Sequence, residues 1–171
     1  RTAMAVMRTG YTLVKVTDLA EAKEHYSNTV GLYQTLEEDG KVYYKGWDEW
    51  DHHSVVLEEG GVGYVKCGFK CEKPEDVAEI ETKAVAFGYP VERMVAGENP
   101  EVGDGIRVTL ASGHQVEFYS HMTSWGLEVG THNPDAFPRH LVGVGAPRLD
   151  HALLWVNDVA GIEKFFVECV G

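Results

Sequence analysis

Arg8-Thr-Gly-Tyr-Thr-Leu-Val-Lys-Val-Thr-Asp-Leu-Ala, residues 8–20, decides the reading of this chain, because Arg148-Leu-Asp-His-Ala-Leu-Leu-Trp-Val-Asn-Asp-Val-Ala, residues 148–160, answers it. The correspondence runs without a gap at an offset of 140, from 8–31 to 148–171, with seven identities in 24 aligned positions. The identical pairs are Arg8/Arg148, Leu13/Leu153, Val16/Val156, Asp18/Asp158, Ala20/Ala160, Val30/Val170 and Gly31/Gly171. The apolar pattern agrees as well: a short strand, an Asp placed to cap a helix, an apolar helical face, and a Gly to end it. The expected organisation is one full domain over residues 1–123, a connector over 124–147, and the opening strand and helix of a second, similar domain over 148–171. The complete protein is then expected to be roughly twice the repeat.

Working inward, a shorter repeat emerges. Residues 12–16 alternate as a strand, Asp18 caps a helix reaching Val30, and Gly31 stops it. Residues 41–47, entered through Asp39-Gly40, and residues 54–57 read as strands. The second unit begins with a strand near 64–69, then a helix with Pro74 in its first turn and Gly88 at its end. Strands at 91–95, 106–110 and 115–119 follow, separated by Asp104-Gly105 and Ser112-Gly113. Each unit is thus strand, helix and three strands, an α+β class of paired βαβββ modules. One module cannot cover its own sheet, so two are expected to pair around a cleft. Between 124 and 146 neither period persists, and Trp125-Gly126, Asn133-Pro134 and Phe137-Pro138 mark an ordered connector wrapped on the first domain.

Composition bounds the function. The 171 residues with 44% hydrophobic content support a real core, and a net charge of -12 disfavours nucleic acid or an anionic membrane as partner. No stretch approaches the ~18 apolar residues of a membrane helix, and the first residues lack a signal-peptide core, so a cytoplasmic location is the default expectation. Cys67, Cys71 and Cys169 have no zinc spacing. Cys67 and Cys71, four apart on a strand, share a face roughly 13 Å apart and read as structural. His52 and His53 are neighbours on what reads as an extended segment, expected to point to opposite faces. Glu75, Asp76, Glu79, Glu81 and Lys83 read as the solvated face of a helix. No phosphate-binding loop and no nucleophile elbow is present.

An ordered series of motifs carries a family resemblance: His25-Tyr26 with Val30-Gly31-Leu32, residues 40–45, Ser54-Val55-Val56-Leu57, Gly68-Phe69-Lys70, Ala96-Gly97-Glu98, Ser112-Gly113-His114, Glu117-Phe118-Tyr119, and Asn133-Pro134 leading to Leu149-Asp150-His151-Ala152-Leu153. In this order they resemble the two-domain extradiol dioxygenases of the vicinal oxygen chelate superfamily, the catechol 2,3-dioxygenase family. The resemblance implies meta ring cleavage of catechols by O2 at a non-heme Fe(II) held by two His and one carboxylate. It also implies a homo-oligomer, a tetramer in the family. Its first metal ligand, a His opening the first strand of the second domain, falls on His151. The other His, the Glu and the acid-base groups would lie beyond Gly171, leaving the catalytic residues unassigned. Within the first domain the matching triad positions are Tyr11, Lys66 and Glu117, with one residue of register freedom at Lys66. Lys66 is expected to pair with Glu117, and the domain to be a scaffold without the metal. Two other readings of the superfamily stay open: a non-redox small-molecule binding or resistance protein, and a glyoxalase-type metalloenzyme.

The repeated segment at the end carries one more expectation. Residues 152–156 read as a strand and 158–170 as a helix with Val159, Ile162, Phe165, Phe166 and Val170 apolar, yet the sheet they should cover is not in the chain. Either they belong to a longer protein, or they pack on the first domain or a partner subunit.

Overall fold

A computed structural model describes residues 5–171. Strand β1 (Val6–Val16) leads to helix α1 (Leu19–Glu24), which continues through π-helical turns over His25–Val30. Strands β2 (Tyr33–Glu38), β3 (Lys41–Lys45) and β4 (Val55–Glu59) complete the first module. The second has β5 (Gly63–Cys71), α2 (Pro74–Phe87), β6 (Val91–Met94), β7 (Gly105–Thr109) and β8 (Gln115–Tyr119), and α3 (Val159–Phe165) follows the connector. Each module therefore has the expected strand, helix and three strands. The first strand begins earlier than residue 12, and the strand expected over 41–47 ends at Lys45.

The described residues form two compact units. One comprises 11–65 with 123–150, the other 66–122 with 151–171 and the residues up to Gly10. In the first, the strand order is β2-β3-β4-β1; β1 and β4 run parallel with Leu13 opposite Val56, and the other pairs are antiparallel. One face of this sheet buries Leu32, Val42, Tyr44 and Leu57 under Leu19, Ala22, Tyr26 and Val30 of the helical segment, and the other carries Leu13, Tyr43 and Val56. In the second unit the order is β5-β8-β7-β6, with β5 and β8 parallel. Its core joins Val77, Ile80 and Ala84 of α2 to Ile106, Val108, Val116 and Phe118 of the sheet.

Local chemistry sets the ends of the helices. The Asp18 carboxylate accepts from the Glu21 N–H and the Asp158 carboxylate from the Gly161 N–H, both at 2.9 Å, again 140 positions apart. At the far ends the Gly31 N–H bonds to the Tyr26 carbonyl and the Gly171 N–H to the Phe166 carbonyl. The repeat seen in sequence is thus a repeat of caps and of the widened final turns.

The connector is held by hydrogen bonds. The Lys45 ammonium donates to the Gly126 carbonyl at 2.8 Å, the Trp47 indole to the Gly145 carbonyl at 3.0 Å, and the Val144 and Ala146 amides to the carbonyls of Thr29 and Val30.

One expectation about the last segment is corrected. Residues 152–156 form no strand, because an apolar run supplies only one side of a ladder and no strand pairs with it here. The helix that follows is covered: Ile162, Phe165, Cys169 and Val170 are buried in the core beside α2, which is the packing on the first 123 residues that the sequence left open.

Candidate functional site

Of the three positions that the family resemblance would align with a metal triad, Lys66 and Glu117 form an ion network rather than a set of metal ligands. Glu117, on β8, is fully buried. Antiparallel pairing sets Arg107 of β7 directly opposite it, and the parallel register sets Lys66 of β5 two positions away. The Lys66 ammonium donates to Glu117 Oε1 at 3.0 Å, the Arg107 guanidinium to the same oxygen through Nε at 2.7 Å, and the Asn99 amide to Oε2 at 3.1 Å. Lys66 also donates to Asn99 Oδ1 at 2.5 Å, and Arg107 reaches Glu98 at 2.6 Å. Burial pulls the Arg107 pKa down, but its bond to Glu98 and the Glu117 charge outweigh that and raise it above the ordinary value.

Lys66 and Glu117 thus pair as expected. Two charge-bearing donors and an amide already use the carboxylate, and an ammonium is no ligand for a divalent ion. Among the described residues no three His, Cys, Asp or Glu side chains converge to hold a metal. Lys66 and Glu117 therefore do not form a ligand pair for a divalent metal. Sequence reasoning missed Arg107 and Asn99; the hairpin closed by Ser112-Gly113 was the available signal, since it places Arg107 across from Glu117.

Tyr11, the remaining triad position, is buried with its ring edge-on to His53 at 5.5 Å. His52 and His53 do not point to opposite faces. Their Nδ1 atoms lie 3.0 Å apart, both rings are buried, and His52 meets Trp125 edge-on at 5.4 Å. Alternation fails because residues 46–54 follow a loop folded around Glu49, whose carboxylate accepts from the Gly46 N–H and the Ser54 hydroxyl, each at 2.5 Å.

His151 is exposed and lies outside any strand or helix. The chain leading to it is fixed: Glu49 accepts from the Leu149 N–H at 2.9 Å, Asp48 pairs with Arg148, and the Asp48 N–H bonds to the Pro147 carbonyl. Gly46 is required beneath this stretch, where a Cβ would stand 2.2 Å from the Pro147 carbonyl oxygen.

The cysteines are structural. All three are buried and free, and burial pushes the Cys67 and Cys71 thiols from 9.0 to about 12, aided by Glu117 and Asp76 respectively. Their folded pKa values exceed the unfolded ones, so the stability they contribute is complete below pH 9 and is lost as pH rises toward 12. The native protein is expected to resist thiol alkylation at neutral pH and to lose stability steadily over that alkaline window. Rapid labelling of either residue in the folded state would contradict this.

Comparison with known proteins places the fold. Residues 66–129 match the model of the catechol 2,3-dioxygenase-like N-terminal domain. The chain is 35% identical over 173 residues to a metapyrocatechase of Pseudomonas sp. (strain CF600), covering 97% of this chain and 55% of that protein. It is 22% identical to a manganese-dependent 2,3-dihydroxybiphenyl 1,2-dioxygenase of Geobacillus genomosp. 3, covering 97% and 54%. It superposes on the 2,3-dioxygenase LapB of Pseudomonas sp. KL28 with a TM-score of 0.93 and 34% identity, over 99% of this chain and 60% of that one. The chain spans about half the length of the curated relatives it matches. Its βαβββ modules have the vicinal oxygen chelate fold, and over nearly its whole length the chain is similar to catechol 2,3-dioxygenase-like proteins.

Proposed function

We propose that the complete protein cleaves catechol or substituted catechols beside a ring hydroxyl, using O2 and a divalent metal, and gives 2-hydroxymuconic semialdehyde-type products. Residues 1–123 serve as its metal-free first domain, 124–147 as connector, and 148–171 as the start of the catalytic domain. The observation that carries this reading is the superposition on a 2,3-dioxygenase over 99% of the chain. The metal supplies a common centre for catecholate and dioxygen. His151 is its first protein ligand, with the remaining ligands on chain that follows. Fe(II) is the metal proposed; the manganese-dependent relative makes Mn(II) the competitor. The protein acts as a homo-oligomer.

The contribution of residues 1–150 is positional. Glu49 holds the Leu149 N–H two residues before His151 and Asp48 pairs with the Arg148 side chain, while the Lys66–Glu117–Arg107 network ties β5, β7 and β8 together. This arrangement favours an enzyme with a supporting domain over a binder that uses the first module pair alone. The test is turnover of catechol by the complete protein after loading with Fe(II) or Mn(II). A yellow ring-opened product with one O2 consumed per catechol is expected. A stable complex with either metal that leaves catechol intact would refute the function.

A further inference from the structure

Helices α1 and α3, each taken with the π-helical turns that continue it (His25–Val30 and Phe166–Val170), are equivalent elements at an offset of 140 that bury different faces. In α1 the core-facing residues are Leu19, Ala22, Tyr26 and Val30, and His25 and Thr29 are exposed. The matching positions after Asp158 are Val159, Ile162, Phe166 and Val170, but the counterparts of His25 and Thr29 are Phe165 and Cys169. Both are buried. The Phe165 ring meets Phe87 and Tyr89, at the end of α2, with centroids 5.6 and 4.9 Å apart. These two residues widen the apolar arc of the helix on one side of Ile162, while Val159 lies on the other, 65% exposed.

The stretch before the helix shows the same asymmetry. Leu154 and Val156 pack on the core beside α2, whereas Leu153 and Trp155 are 74% and 87% exposed. Leu13, the counterpart of Leu153, is 4% exposed because it packs with Tyr43 and Val56 and its strand pairs with β4. What covers Leu13 is therefore the set of strands that follows its own helix.

We propose that α3 is a two-sided joint. Phe165 and Cys169 seat it on α2, and its open side, with Leu153, Trp155 and Val159, receives the strands that follow α3 in the complete protein, the counterparts of β2–β4. This rests on reading 148–171 as the start of a further module; the matched relatives, nearly twice as long as this chain, have the length for it. A helix shared by two cores makes them unfold together, and the metal-free domain thereby fixes the element that opens the catalytic one.

The test is hydrogen exchange and thermal unfolding of the complete protein carrying Phe165→His with Cys169→Thr, the residues α1 uses. The wild type is expected to melt in one transition, with α2 and the chain beyond Gly171 exchanging together. The double variant is expected to melt in two, with α2 exchanging at least ~10-fold faster and the chain beyond Gly171 keeping its protection. The single change Cys169→Ala should move α2 in the same direction by less, and it carries the test if the double variant does not fold. A single transition with α2 protection unchanged in both variants would overturn the joint. Absence of a protected block beyond Gly171 in the wild type would instead overturn the module reading beneath it.

Discussion

Replacing Glu117 by Ala is expected to cost about 3 kcal/mol of folding stability, because it strips a shared counter-ion from two largely buried cations. Lys66 keeps Asn99 as an acceptor and Arg107 keeps Glu98, which places the loss at the lower end of the range for broken buried pairs. Glu117→Gln retains shape and an acceptor for Lys66 while removing the charge, so a smaller loss is expected. Thermal unfolding measures both changes, and at this size each kcal/mol moves the midpoint by about 2–4 °C. Metal content per folded molecule should stay the same in either variant. A drop in metal at constant fold would mean that Glu117 has a ligand's role after all.

Gly31→Ala is the second large effect. Gly31 has φ of 79°, a left-handed conformation that costs an L side chain about 1–2 kcal/mol. Its added Cβ would also stand 2.1 Å from the Val142 carbonyl oxygen and 2.9 Å from the Gly145 nitrogen, so the connector must shift. Relieving such an overlap typically costs roughly a further 1–3 kcal/mol. We expect a total loss of about 2–5 kcal/mol, together with faster exchange at the Val144 and Ala146 amides that bond to Thr29 and Val30. Gly40, with φ of 72° and open space around it, is the control: Gly40→Ala carries the conformational cost without the overlap. Equal losses at the two positions would show that the connector does not bear on Gly31.

What is legible in sequence follows local rules. Asp18, Asp158, Gly31 and Gly171 mark helix ends through hydrogen bonds made within a few residues, so they read correctly from the chain alone. The module pattern requires β2 without locating it, and a register shift between Gln34 and Leu36 explains why: it breaks the period of two by which a strand is recognised. Alternation misplaces His52 and His53 because it does not apply to a loop held by Glu49. Residues 152–156 are a continuous apolar run and still form no strand, since a ladder needs a partner that composition cannot supply. Of the charge network, Lys66–Glu117 can be anticipated from residue type; Arg107 and Asn99 join it only through three-dimensional register.

The central claim is that the chemistry belongs to the domain opened by His151 and that the preceding module pair is a metal-free scaffold. The most direct measurement is metal per subunit, with catechol turnover, after desalting of the complete protein carrying His151→Ala or, separately, Tyr11→Phe. The account predicts that His151→Ala loses both metal and turnover, because two remaining ligands bind weakly and release quickly. Tyr11→Phe should keep both close to the wild type. Metal retained with activity in His151→Ala, or metal lost in Tyr11→Phe, would contradict it.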